Sequence, residues 1–94
     1  MDVQNLSEYL EFLDVEKGLS INTIEAYRRD LSEFINYCEI SGIEDMNSVR
    51  RTDINTFILK LHDDKLTTTT VVRKIASLRG FFKWLCANEI CTSD

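Results

Sequence analysis

The chain has 94 residues, enough for one small domain. It is 44% hydrophobic and 29% charged, with no proline and three glycines, which disfavours a turn-rich β architecture and fits a soluble, helical one. The net charge of −5 argues weakly against a nucleic-acid partner, but the charges are not evenly spread. Residues 1–16 hold Asp2, Glu8, Glu11, Asp14 and Glu16 and no basic residue. Residues 65–88 hold Lys65, Arg73, Lys74, Arg79 and Lys83 and no acid, so a partner meets a local field rather than the sum.

In chain order, the spacing predicts a first helix over 5–17. Leu6, Tyr9, Leu10 and Leu13 share one face, Asn5 or Ser7 is the expected cap, and Gly18 is the stop. A second and longest helix is expected from Ser20 to Ile40, with Ile24, Tyr27, Leu31, Phe34, Ile35 and Cys38 as its apolar stripe. Ser20 and Asn22 are good caps, and Gly42 closes the segment. Met46 to Arg51 looks like a connection. Thr52 is the expected cap of a third helix, with Asp53 in its first turn and Ile54, Phe57, Ile58 and Leu61 buried. That helix should fray near Asp63 and Asp64.

The fourth segment holds a conflict. Thr67, Thr68, Thr69 and Thr70 run into Val71 and Val72, six β-branched residues that locally favour a strand. Beyond them Val71 or Val72, Ile75, Leu78 or Arg79, Phe82 and Leu85 recur every three to four positions, and Phe81-Phe82 breaks strict alternation. The longer pattern outweighs the local propensity. β-Branched residues cost little at a helix start, where a hydroxyl accepts a bond from an unpaired N–H. The expectation is a helix from the threonines to about Asn88, and hence a compact all-α domain of four helices.

Little in the sequence suggests catalysis. His62 is the only histidine, and beside Asp63 and Asp64 it is better explained as a solvated helix end than as a metal ligand. It has no local nucleophile to serve, and no glycine-rich phosphate loop is present. Cys38 and Cys86 lie on or beside apolar stripes and Cys91 is expected to be exposed. An odd count without metal-ligand spacing points to a reduced, cytosolic setting. No apolar run reaches the roughly 18 residues of a membrane span, and no signal-peptide pattern opens the chain. Neither a cofactor nor a small-molecule substrate is expected.

The informative chemistry is at two helix starts. Thr69 and Thr70 precede Arg73, Lys74 and Ser77; Ser20, Asn22 and Thr23 precede Arg28 and Arg29. Hydroxyls, unpaired helix N–H groups and cations at one helix end suit phosphate oxygens, and such an end also fits a major groove. From composition alone, ordinary caps and solvated charges are the simpler account.

Two stretches change that balance. GLSINTIEAYRRDLSEFINYC (residues 18–38) carries Gly18, Leu19, Ser20, Thr23, Tyr27, Asp30, Leu31 and Phe34. LTTTTVVRKIASLRGFFKWLCANEI (66–90) carries Leu66, Thr67, Thr70, Arg73, Ile75, Ala76, Leu78, Arg79, Phe81 and Phe82. Together they resemble the N-terminal, SAM-like core-binding domain of tyrosine recombinases, the group of phage integrases and Xer-type enzymes. VRRTDINTFILKL is similar to that family's third helix, so the resemblance spans nearly the whole chain.

The resemblance implies a compact four-helix orthogonal bundle that grips one face of double-stranded DNA. It also implies a separate C-terminal catalytic domain, absent from residues 1–94, which carries the residues of strand exchange. These residues are then expected to bind rather than cut, and no tyrosine among them is the nucleophile. The parent protein is expected to be a cytoplasmic recombinase that assembles as a tetramer on DNA for integration, excision or chromosome-dimer resolution. Carried over by position, Ser20, Asn22, Thr23 and Arg28 would contact DNA from the second helix, with Tyr27 straddling core and interface. Thr68, Thr69, Thr70, Arg73, Lys74 and Ser77 would do so from the fourth. Arg79 is expected to be structural, paired with Asp30. The alternative is a helical protein–protein interaction module that uses its oppositely charged faces.

Overall fold

The computed structural model describes residues 3–90; Cys91 lies outside them. Among the described residues there are four α-helices and no strand. They are α1 (Val3–Val15), α2 (Ile21–Ile40), α3 (Arg51–Asp63) and α4 (Thr68–Ala87), with a single 3-10 turn, Met46–Ser48, between α2 and α3. The threonine run therefore opens a helix, as the longer periodicity predicts. Thr67 is the N-cap: it is extended (φ −65°, ψ 154°), and its hydroxyl oxygen accepts the Thr70 N–H at 3.2 Å. That is a residue type suited to an N-cap, placed where the helix needs an acceptor.

Two expected caps are displaced. α1 begins before Asn5 and Ser7, so both lie inside it. α3 begins after Arg50, not Thr52. Asp53 reaches back to accept the Arg50 N–H at 2.8 Å, and this carboxylate bond at the third helical position sets the start. Gly18 (φ +62°) follows α1, with the Leu19 N–H returning to the Leu13 carbonyl at 3.2 Å; Gly42 (φ +82°) closes α2 in the same way.

The apolar stripes converge on one core. Leu6, Tyr9, Leu10 and Leu13 of α1 are buried together with Leu31, Phe34 and Cys38 of α2, Phe57 and Leu61 of α3, and Leu78, Phe81 and Leu85 of α4. Where the sequence left a choice on α4, packing selects Val71 over Val72 and Leu78 over Arg79. The Phe34 ring meets Phe57 edge-on at 5.1 Å between centroids and Phe82 at 6.0 Å, which ties α2 to both α3 and α4. Burial pushes the Cys38 thiol up to about 12, with Asp53 and Glu39 adding to the effect, so it stays protonated and inert.

α1 is fastened to α4 at a site that needs a missing side chain. Tyr9 stacks near Phe12 and tilts against Phe81 and Trp84, at 5.3 and 5.5 Å. A Cβ on Gly80 would sit 2.5 Å from the Tyr9 hydroxyl oxygen. The tyrosine is wedged among rings and cannot swing aside freely. Gly80→Ala should therefore destabilise the fold by about 1–2 kcal/mol. Overpacking of about 1–3 kcal/mol is only partly offset by the gain of roughly 1 kcal/mol from alanine in a helix. Combining it with Tyr9→Phe, which removes the clashing oxygen, should recover part of the loss in urea denaturation; additive losses would sink the explanation.

Candidate nucleic-acid interface

α2 and α4 start with the same local device. Ser20 is extended like Thr67 (φ −66°, ψ 154°), and its hydroxyl oxygen accepts the Thr23 N–H at 3.2 Å. In each cap the capping hydroxyl donates onward to the third helical residue, Ser20 to Thr23 at 3.0 Å and Thr67 to Thr70 at 2.9 Å. The Ser20 and Thr67 hydroxyls are thus committed to the caps. Thr68 and Thr69 are exposed, as is Asn22, and their side chains make no hydrogen bond among the described residues. Each helix start therefore presents unpaired N–H groups and free polar side chains together.

The two helices are locked by charge. Asp30 of α2 is 2% exposed and accepts two bonds from Arg73 of α4, from Nε at 2.9 Å and from a terminal nitrogen at 3.0 Å. Lys74 Nζ donates to the same carboxylate at 3.1 Å and also meets Glu33 at 3.0 Å. Burial alone would raise the Asp30 pKa, but the bonds and charges of Arg73 and Lys74 outweigh it and hold the carboxyl below its ordinary range. The Asp30 carboxylate in turn raises the Arg73 pKa, with Tyr27 near enough to contribute. Residue 30 is nine positions into α2 and Arg73 five positions into α4. At roughly 1.5 Å per residue, both helix starts lie within about 14 Å of this crossing.

The expected contact residues divide accordingly. Ser20, Asn22, Arg28, Thr68 and Thr69 are exposed, and Thr23, Tyr27, Thr70 and Arg73 are half-buried. Two expectations are corrected. Ser77 is fully buried and donates its hydroxyl to the Lys74 carbonyl at 2.8 Å, because its position on α4 faces the core. Lys74 is 9% exposed and held between Asp30 and Glu33, so it is a strut rather than a free cation. The pairing expected of Asp30 is also corrected: its partners are Arg73 and Lys74. Arg79, six residues or about 9 Å further along α4, is exposed and lines a groove against α3. Arg29 also lies near the start of α2, outside the set that the family resemblance implies. It is exposed and makes no ion pair among the described residues, whereas Arg28 is paired with Glu25 at 3.4 Å.

No group of histidine, cysteine and acidic residues suited to a metal occurs among the described residues, and none of the described helices is long and apolar enough to cross a membrane.

The family model for the phage integrase N-terminal SAM-like domain matches residues 6–89. A tyrosine recombinase XerC of Herpetosiphon aurantiacus is 35% identical over 91 residues, 97% of this chain and 30% of that protein. A tyrosine recombinase XerD of Listeria monocytogenes is 43% identical over 81 residues, 85% of this chain and 27% of that protein. The chain thus spans under a third of the length of these relatives. No solved structure matches it. With a family model covering most of its length and a four-helix fold to match, the chain belongs to the phage integrase N-terminal SAM-like domain family, the N-terminal domain of tyrosine recombinases.

Proposed function

We propose that this domain binds double-stranded DNA through the starts of α2 and α4, as the gripping arm of a site-specific tyrosine recombinase. The observation that carries the reading is the pair of matching hydroxyl caps at the starts of α2 and α4, the two helices joined by the Asp30–Arg73–Lys74 cluster. Free N–H groups, Asn22, Thr68 and Thr69 suit phosphate oxygens, and Arg29 supplies unpaired charge, with Arg28 and Arg73 beside it already paired to Glu25 and Asp30. The exposed Ser20 and the half-buried Thr23, Tyr27 and Thr70 complete that surface. Strand breakage and rejoining belong to a separate catalytic domain of the whole protein, which works in the cytoplasm as a tetramer on DNA. The relatives named as tyrosine recombinases support the assignment to a recombinase.

The acidic balance of the chain makes weak, salt-sensitive binding the expectation. An NMR titration of the 94-residue chain with duplex DNA tests it. Amide shifts should cluster on residues 20–29 and 67–73 and fade with salt, at about −0.9 in the log–log slope for each phosphate neutralised. Arg29→Glu should weaken binding without disturbing the fold, because the side chain is exposed and makes no ion pair among the described residues. Shifts centred on the α3–α4 groove instead would overturn the assignment of the surface.

A further inference from the structure

The outward face of the first turns of α4 carries methyl groups and little else. Val72 is 59% exposed, and Thr68 and Thr69 before it and Ala76 after it are exposed as well. Thr68, Val72 and Ala76 are spaced four apart, so they form one row along the helix, with Thr69 at its edge. The row holds no aromatic or other large side chain of the kind that anchors a protein partner. No acidic residue occurs from Lys65 to Asn88, so nothing on this stretch of chain repels a phosphodiester backbone.

The four bases take different partners in the major groove. Guanine takes a cation, best the fork of an arginine, and adenine the amide of Asn or Gln. Cytosine takes a carboxylate, and thymine an apolar contact to its 5-methyl group. Between Thr68 and Ala87 there is no Asn, Gln, Asp or Glu, which removes the adenine and cytosine partners from α4. The cations near its start are engaged elsewhere. Arg73 donates from Nε and a terminal nitrogen to Asp30 at 2.9 and 3.0 Å, so the fork that would grip guanine is closed on a carboxylate. Lys74 is buried between Asp30 and Glu33. Arg79 lies about 10 Å beyond Val72 along the axis, at the α3–α4 groove. Apart from hydroxyls, what the helix start offers a base edge is the methyl groups of Val72, Ala76 and the threonines.

We propose that α4 reads thymine, through contact of Val72 and Ala76 with the 5-methyl groups of neighbouring A·T pairs in the major groove, while Thr68 and Thr69 hold the flanking phosphates. The inference rests on the DNA-binding reading and adds a base preference to it. Val72 and Ala76 are about 6 Å apart along the helix axis, less than two base steps of about 3.4 Å, so both reach methyls within one short A·T run. The contact is uncharged, so the preference persists at salt concentrations that weaken the hold on phosphates.

NMR titration of the 94-residue chain with two duplexes is the test. One is an alternating A·T duplex. The other carries deoxyuridine in place of every thymidine, which keeps the base pairs and the charge and removes only the 5-methyl groups. The thymine duplex should bind about tenfold more tightly, the size expected for two buried methyl groups, and the ratio should hold as salt weakens both. Val72→Ala should cut the ratio to about threefold. A substitution that only disturbed the fold would weaken both duplexes alike and keep the ratio. Equal binding of the two duplexes, with amide shifts on residues 20–29 and 67–73, would overturn the base preference and leave DNA binding standing. A ratio untouched by Val72→Ala would also overturn it, since the methyls are then read elsewhere. No shift on those residues with either duplex at low salt would overturn the DNA-binding reading and the base preference with it.

Discussion

Asp30→Ala should cost about 3–5 kcal/mol of stability, the range for removing one partner of a buried ion pair. The carboxylate is nearly inaccessible and receives both Arg73 and Lys74. Without it, Lys74 is left in a nearly closed site with only the half-exposed Glu33 to balance it. Against a typical total of about 5–15 kcal/mol, this is a large share. The pH dependence gives a second check. The Asp30 pKa is lowered in the fold, so its contribution is fully present above the unfolded value of about 3.9 and is lost as pH falls through the folded value. Urea denaturation should show wild type and Asp30→Ala far apart at pH 7 and converging below about pH 4. Equal stabilities at pH 7 would mean the cluster is not a strut. The same result bears on the DNA face: Arg73 is first a structural residue, so loss of binding on its replacement has to be read beside a stability measurement.

Phe34→Ala should be about as damaging, at about 3–5 kcal/mol for a buried phenylalanine. The ring is fully buried and is the piece that α3 and α4 both rest on, through Phe57 and Phe82. A domain of this size loses roughly 4–8 °C of Tm per kcal/mol, so the melting temperature should fall by at least about 12 °C. Val72→Ala on the neighbouring helix is the control. Val72 is largely exposed, and its replacement should stay within about 0.5 kcal/mol. A Phe34 variant that melts like the control would show that the α2–α3–α4 junction repacks around the gap.

The apolar period decides secondary structure where a stripe is long. Over twenty residues of α2 and of α4 the apolar repeat is sustained, and it outweighed six β-branched residues that pointed the other way. Period decides less at helix starts. Thr52 looks like a cap by type, but Asp53 bonds to the N–H of Arg50 and moves the start two residues back. Residue type says what can cap; only the chain path says which residue is extended at that point. The positive-φ residues after α3 and α4, Lys65 and Glu89, were also invisible, since neither is the glycine that usually marks such a turn.

The site shows the same division. By itself the sequence determined four amphipathic helices, the two hydroxyl-rich starts and the family resemblance, because each is a local pattern or an ordered set of residues along the chain. Which cations are free was decided by the tertiary structure. Arg73, Lys74 and Arg79 look alike on a helical wheel beside the core stripe. The crossing of α2 over α4 brings Asp30 to the first two and leaves the third at the α3–α4 groove. Ser77 was lost from the surface for the same reason: a small hydroxyl on α4 is compatible with either face, and packing against the core chose the inner one. Charge pairing and burial between helices depend on residues more than forty positions apart, and no spacing rule along one helix encodes where the other will cross it.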